Sequence, residues 1–345
     1  HRHTARPDPS PVPLLRQSSL NKGVSGRGDS QFRGLSVVCI LARGRCMVEV
    51  AVVMAIQRQR WTVRGAGYLL GGLLVALASW GFWWEPASLS TREYDLVLPG
   101  WPAAAGDLRI AVLADLHTGS PHNDLEKLQE VVQATNRAHP DLILLAGDFV
   151  IQGVVGGQFV EPEASARVLR SLQATLGVYA VLGNHDWWLD GARVRNALEA
   201  EGIPVLEDRA TPLVFNRIPF WLAGVSDFWE AAHDVSRALT GVDEASPVIV
   251  VTHNPDVFPD IPERVALTIA GHTHGGQVAV PGLGRPVVPS QFGERYAIGH
   301  IVEGGRHLFV STGIGTSILP VRFRVPPEIS LVTIRSAIPL SQPSS

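Results

Sequence analysis

Leu142-Ile143-Leu144-Leu145-Ala146-Gly147-Asp148 is the segment from which the rest of this chain can be read. Its first part is apolar without alternation, which describes a strand covered on both faces, as in a parallel sheet between layers. Glycine then lets the backbone turn sharply. A carboxylate at that turn can offer one oxygen to each of two cations. Alone, a Gly-Asp pair is an ordinary turn, so its meaning depends on its neighbours.

Strand-like and helix-like segments alternate outward from it. Arg109 to Ala114 is a short apolar strand, and Leu125 to Arg137 carries Leu125, Leu128, Val131 and Val132 at helical spacing. Glu163 to Leu172 reads as a helix, Val178 to Leu182 as a strand and Gly191 to Glu201 as a further helix. Phe220 to Val225, Val248 to Thr252 and Leu267 to Ala270 are later strands, and His307 to Ser311 and Ile329 to Ile334 are expected to close a second sheet. Such alternation is the signature of βαβ architecture. Residues 85–107 read as a linker and an edge strand, Tyr94 to Leu98, punctuated by Pro99, Gly100 and Pro102, and 336–345 as a polar tail.

Residues with metal-ligand chemistry follow these strands. Asp115-Leu116-His117 trails the first, Asp148 the second and Gly183-Asn184-His185-Asp186 the third; His253 and Gly271-His272-Thr273-His274 trail two later ones. Loops at the carboxyl ends of neighbouring strands converge on one crevice. Carboxylate oxygen and neutral imidazole nitrogen suit Mn, Fe or Zn. An Asn carbonyl is a neutral ligand; His185 can face substrate, and Asp186 is placed to hydrogen-bond its imidazole. If residues 272–274 are extended, both imidazoles point to one side. Trp187 and Trp188 are read as core residues, with pocket lining as the alternative.

The five patterns in this order resemble the metallophosphoesterase superfamily, the calcineurin-like phosphoesterases with a two-metal centre. Gly271 through Gln277, with Gly313-Ile314-Gly315-Thr316-Ser317, Pro320-Val321-Arg322 and Pro326-Pro327-Glu328-Ile329, is similar to the bacterial, often membrane-linked YkuE/YaeI-like phosphodiesterase branch. The resemblance implies a four-layer αββα sandwich of two mixed β-sheets over residues 108–335. It implies one ion on Asp115, His117, Asp148 and His274, and another on Asp148, Asn184, His253 and His272. His185 becomes the group at the transition state, oriented by Asp186. The implied reaction is hydrolysis of a phosphomonoester or phosphodiester by metal-activated hydroxide, without a covalent intermediate. A non-catalytic metal-binding scaffold and a nuclease are the alternatives. Arg322 is expected in a structural salt bridge rather than on a phosphate.

Charge and composition narrow this further. Net charge is −3, but residues 1–64 hold 11 Lys/Arg against 3 Asp/Glu, which leaves the remainder at −11. A region that acidic is a poor partner for nucleic acid. Both cysteines, Cys39 and Cys46, precede the motifs, so no thiolate site or disulfide framework is expected there. Residues 1–53 read as translated upstream sequence or a basic tail, with Met54 or Met47 as the expected start. Arg58, Arg60 and Arg64 form a positive flank before Gly65 to Trp84, 20 residues without a charge. That length spans a bilayer as a helix, and Trp80, Trp83 and Trp84 suit its interface. The expectation is an anchor with the catalytic part outside, a cleaved signal peptide being the rival.

Overall fold

The computed structural model describes residues 46–337. The expected leader up to residue 45, and the tail beyond 337, lie outside the described residues. The described residues divide into two units after Gly65. Helix α1 covers Cys46–Ser79, beginning inside the segment read as leader and taking in the basic flank. Among the described residues one helix, Val52–Ala87, is long and apolar enough to cross a membrane.

The α-helical winding does not run to Trp84 as the sequence suggests. Trp80–Trp84 forms a π-helical turn closed by the Glu85 N–H on the Trp80 carbonyl, followed by the single turn α2 (Glu85–Ala87). The indole N–H of Trp80 reaches the buried Glu85 carboxylate at 2.5 Å. Such one-residue bulges concentrate where a helix meets functional structure.

Two mixed sheets follow. The first contains β1 (Ser90–Leu98), β2 (Leu108–Leu113), β3 (Leu142–Ala146) and β4 (Val178–Val181), with β11 (Glu328–Ser336) inserted in the order β1-β11-β2-β3-β4. β2, β3 and β4 are parallel, joined by α3 (Leu125–Arg137) and α4 (Pro162–Leu169). The second contains β5 (Arg209–Phe215), β6 (Ile218–Val225), β7 (Val248–Thr252), β8 (Val265–Ala270), β9 (Gly299–Glu303) and β10 (Arg306–Val310) in the order β5-β6-β7-β8-β10-β9. Within it β6, β7, β8 and β10 run parallel.

The alternation of side chains across each strand decides the layers. Ile110, Val112, Leu142 and Leu144 on one sheet meet Leu222, Ile249, Val251 and Ile269 on the other in the central core. The opposite face, with Ala111, Leu113, Ile143 and Leu145, packs under α3, α4 and α5 (Asn184–Ala200). Val248, Val250 and Leu308 turn the other way, beneath the short helix α6 (Val235–Ala238) and a 3₁₀ segment, Pro255–Asp260. The αββα arrangement is therefore present, with a thin fourth layer.

One strand sits where the sequence did not put it. β11 lies in the first sheet, parallel to β1 and antiparallel to β2, instead of closing the second. Its apolar pattern fits either sheet. What selects the first is the nine-pair register with β1, Ser90 opposite Glu328 through Leu98 opposite Ser336.

Candidate metal centre

β2, β3, β4, β7 and β8 all end at the same edge, and each hands its chain to a motif loop. Asp115, His117, Asp148, Asn184, His253, His272 and His274 are all buried there. Asp115, His117, Asp148, His272 and His274 take positive φ, between 39° and 69°. Non-glycine residues adopt that region at a cost, and such strain gathers at functional sites held by their surroundings. Residues 272–274 are therefore a tight turn, with the Thr273 N–H on the Gly271 carbonyl at 2.8 Å, and not the extended segment expected. Both imidazoles still enter the site, because left-handed bends at His272 and His274, on either side of a right-handed Thr273, replace the strand alternation.

The ligand atoms form overlapping groups. Asp115, His117 and His274 make one; Asp148, His253 and His272 make another; His117, Asp148 and His185 make a third. The Asp148 Oδ2 lies 3.4 Å from His117 Nε2 and 3.3 Å from His253 Nε2, so one carboxylate oxygen faces both sides. His274 Nε2 is 3.2 Å from His117 Nε2 and 3.6 Å from Asp115 Oδ1. On the other side, His253 Nε2 is 3.2 Å from Asn184 Oδ1 and 3.1 Å from His272 Nδ1.

The donor set fits cations. His117 Nδ1 is 3.0 Å from the Val150 carbonyl, and His253 Nδ1 is 2.8 Å from the Ala146 carbonyl. Each spends its N–H on backbone and turns the Nε2 lone pair inward, as a metal-ligating histidine does. Imidazole nitrogens then confront one another at hydrogen-bonding distance with too few protons to share. The distal nitrogens His272 Nε2 and His274 Nδ1 are buried without a partner among the described residues.

Electrostatics agree with this. Burial pushes the Asp115 carboxyl up to about 7. Burial likewise drives His117 down to about 4, and His272 and His274 well below the ordinary imidazole value. Burial opposes charge on Asp148 and His253 too, but their mutual attraction outweighs it: Asp148 is held well below the carboxylate range, and His253 rises to about 10. A bound cation would take the place of that proton and settle the unpaired charge.

Backbone packing positions these groups tightly. A Cβ on Gly313 would lie 2.6 Å from the Asp115 Cβ, and one on Gly315 would lie 2.6 Å from the His117 Cβ. The 313–316 loop after β10 thus presses against the first motif. Arg322 holds that loop and is fully buried. Its guanidinium donates to the Gly315, Thr312 and Val325 carbonyls at 2.5–3.1 Å. It is structural, but through backbone carbonyls and not the salt bridge expected.

Asp186 does not orient His185. Its carboxylate accepts the N–H groups of Asp148 (2.9 Å), Phe149 (2.9 Å), Val150 (3.3 Å) and Gly183 (2.9 Å). The His185 Nδ1 has no partner among the described residues. The reason is position: Asp186 is the third residue of α5 and turns back over its capping residue Gly183, towards the β3 loop. It clamps the loop that carries Asp148. His185 stands in the first turn of α5, its ring edge-on to His117 at 4.6 Å and tilted against Trp188 at 4.7 Å.

Asp227 and Trp229 escaped the sequence reading, and Trp188 was read as core with pocket lining only as the alternative. Asp227 is fully buried, with its Oδ2 on the Trp229 and Glu230 N–H groups and its Oδ1 unpartnered among the described residues. It follows β6 as the motifs follow their strands, which was the available signal. Trp188, 46 % exposed, is not core: its indole N–H donates to Glu230 at 2.8 Å. Trp229, 44 % exposed, meets His272 edge-on at 4.4 Å. Trp187 does pack against the core.

Comparison with known proteins follows the same lines. The family model for calcineurin-like phosphoesterases matches residues 108–276. The uncharacterized metallophosphoesterase YkuE of Bacillus subtilis is 29% identical over 277 residues, covering 78% of this chain and 94% of that protein. The phosphodiesterase YaeI of Escherichia coli is 32% identical over 237 residues, covering 67% and 83%. A transmembrane protein with a metallophosphoesterase domain from Danio rerio is 27% identical, covering 68% of this chain and 55% of that protein. With these matches and its buried His/Asp clusters able to bind metal, the chain belongs to the calcineurin-like metallophosphoesterase family, hydrolases of phosphoric esters.

Proposed function

We propose that the centre holds two cations and hydrolyses a phosphodiester or phosphomonoester on the outer face of a membrane. One cation would sit on Asp115, His117, Asp148 and His274, and the other on Asp148, Asn184, His253 and His272. The observation that carries this is the Asp148 Oδ2, within 3.4 Å of His117 Nε2 and 3.3 Å of His253 Nε2 and so common to both ligand groups. Imidazole with carboxylate and a neutral amide oxygen favours Mn, Fe or Zn.

When bound, the cations supply Lewis-acid stabilisation of the phosphoryl oxygens and lower the pKa of coordinated water. The protein's share is positional. His253 and His117 are locked by backbone carbonyls, and the loop carrying Asp148 by Asp186, so the cluster is preorganised before substrate arrives. His185 keeps a ring nitrogen without a protein partner. From there it would donate a hydrogen bond or proton to the oxygen on which charge develops. Trp188 and Trp229 would flank the substrate at the mouth.

Membrane attachment is supported by the apolar helix found among the described residues and by the resemblance to a protein described as transmembrane. The arginine flank before that helix favours a cytoplasmic N-terminus and an external catalytic region. Metal content measured beside turnover of bis(p-nitrophenyl) phosphate tests the central reading. Asp148→Ala should lose metal and activity together. His185→Ala should keep its metal while kcat falls by roughly 10²–10⁴-fold. Full activity in either variant contradicts the assignment.

A further inference from the structure

The end of the apolar helix is built into the rim of the metal centre. The Trp83 ring meets His122 edge-on at 5.1 Å, and His122 Nε2 lies 3.2 Å from the Phe82 carbonyl. His122 stands in the loop that leaves the first motif. The next loop adjoins it, because a Cβ on Gly156 would touch Pro121 at 3.5 Å and the Gln158 N–H donates to the Gly119 carbonyl at 2.8 Å. That loop is tied to a third by the Val155 N–H on the Ile318 carbonyl at 3.0 Å. The third returns to the helix end, where the Arg322 N–H meets the Gly81 carbonyl at 2.9 Å. Three loops and the π-helical turn thus form a closed ring of contacts. Its inner side touches the ligands directly, through Gly315 against His117 and the Thr316 N–H on Ser120 Oγ at 3.4 Å.

The ring faces outward with apolar side chains. Ile318 is 70 % exposed, Val155 59 %, Phe159 48 % and Leu319 47 %, beside Trp83 and Trp84 of the helix end. Residues 80–84, 152–160 and 313–321 contain no Asp, Glu, Lys or Arg, although the chain beyond residue 64 is strongly acidic. Exposed apolar side chains gathered on adjoining uncharged loops beside a polar site mark an interaction surface. The loop carrying Ile318 is bonded to Val155 on one side and, through Arg322, to Gly81 of the helix end on the other, which argues for one occupant covering both.

We propose that this ring rests on the lipid surface and that the centre acts on the phosphoester of a membrane lipid, drawn headgroup-first from the bilayer. The proposal rests on the phosphoesterase reading above. Hydrolysis would break the phosphorus–oxygen bond to one alcohol and form one to a water oxygen. The water's protons pass to the departing alcohol and the phosphate, and the apolar tail stays in the lipid.

The test uses the full chain in phosphatidylcholine–phosphatidylglycerol vesicles. In a Cys39→Ser, Cys46→Ser background, an environment-sensitive nitrobenzoxadiazole label is placed at Ile318→Cys or at Ser171→Cys. Ser171 is exposed and its carbonyl binds Asn136 near the end of α3, at the opposite ends of the strands from the motif loops. Blue-shifted emission at 318 and not at 171 is expected; a watery signal at both overturns the docking. In parallel, hexadecyl p-nitrophenyl phosphate in the vesicles is compared with soluble methyl p-nitrophenyl phosphate. The wild type should favour the hexadecyl ester by roughly tenfold or more in kcat/KM, and the Ile318→Asp, Leu319→Asp double variant should lose that preference with the methyl ester rate unchanged. Equal rates on both esters in the wild type, or equal loss on both in the variant, overturn the lipid assignment. A lipid signal at 318 with neither ester hydrolysed overturns the phosphoesterase reading and leaves the docking standing.

Discussion

Replacing Gly183 by alanine is a one-methyl probe of the shared carboxylate. Gly183 caps α5 with φ −103° and ψ 176°, a conformation alanine adopts without strain. The added Cβ, however, would lie 2.2 Å from the Asp148 Oδ1 and 2.7 Å from the Asp148 N. The carboxylate must retreat by roughly 1 Å to reach ordinary contact. That movement breaks the His185 N–H bond to Asp148 Oδ1, 2.9 Å long, and carries Oδ2 away from His117 and His253. Metal sites hold their ligand distances to about 0.2 Å, and a misplacement of about 1 Å costs on the order of 10²-fold in rate. Gly183→Ala should therefore lose bound metal and about 10²-fold in kcat/KM on bis(p-nitrophenyl) phosphate. The overlap itself should cost about 1–3 kcal/mol in denaturant unfolding. Elemental analysis, steady-state kinetics and urea titration on one preparation measure all three. A variant with wild-type metal content and rate would refute the reasoning, because the methyl has nowhere else to go.

Other outcomes follow from the same geometry. Asp186→Asn replaces one acceptor oxygen by an NH₂ facing two backbone N–H donors, so unfolding should cost about 2–4 kcal/mol less; unchanged stability would remove Asp186 from its clamping role. Arg322→Met strips the Thr312, Gly315 and Val325 carbonyls of their donor and should destabilise by about 3–5 kcal/mol in denaturant titration; a shift below experimental error would mean the loop closes without it. Glu207 supplies a pH dependence. Burial raises this carboxyl from 4.5 to about 7, against the Leu182 N–H bond and the Arg195 charge, which both pull it down. A raised acid favours the folded state fully below the unfolded value, and that benefit is lost as pH climbs through the folded one. The wild type should lose up to about 3 kcal/mol relative to Glu207→Gln between pH 4.5 and pH 8. Parallel stability–pH curves for the two proteins would contradict the burial argument.

The motifs were legible because each sits directly after an apolar strand, and strand ends converge whatever the detailed winding. Asp115, Asp148 and His253 needed no knowledge of side-chain direction. Partners set by helix geometry were less legible. Asp186 was expected on the neighbouring imidazole, but the first turn of α5 aims it at the Asp148–Val150 amides instead. The 272–274 segment was expected to be extended, and the left-handed turn at His272 and His274 has no signature in its residue types. β11 was assigned to the wrong sheet because its pairing with β1 joins residues more than 230 positions apart, and both sheets bury the same apolar alternation. Asp227 lacked a neighbouring histidine to mark it, although its place after β6 matches that of the ligands.

The two-cation centre is tested most directly by counting metal ions per chain, by inductively coupled plasma mass spectrometry, while activity is restored to stripped protein by titration with Mn, Fe or Zn. Activity that appears only as the second equivalent binds, with Asp148→Ala retaining neither ion tightly, is the predicted result. Full activity with one ion or none would contradict it.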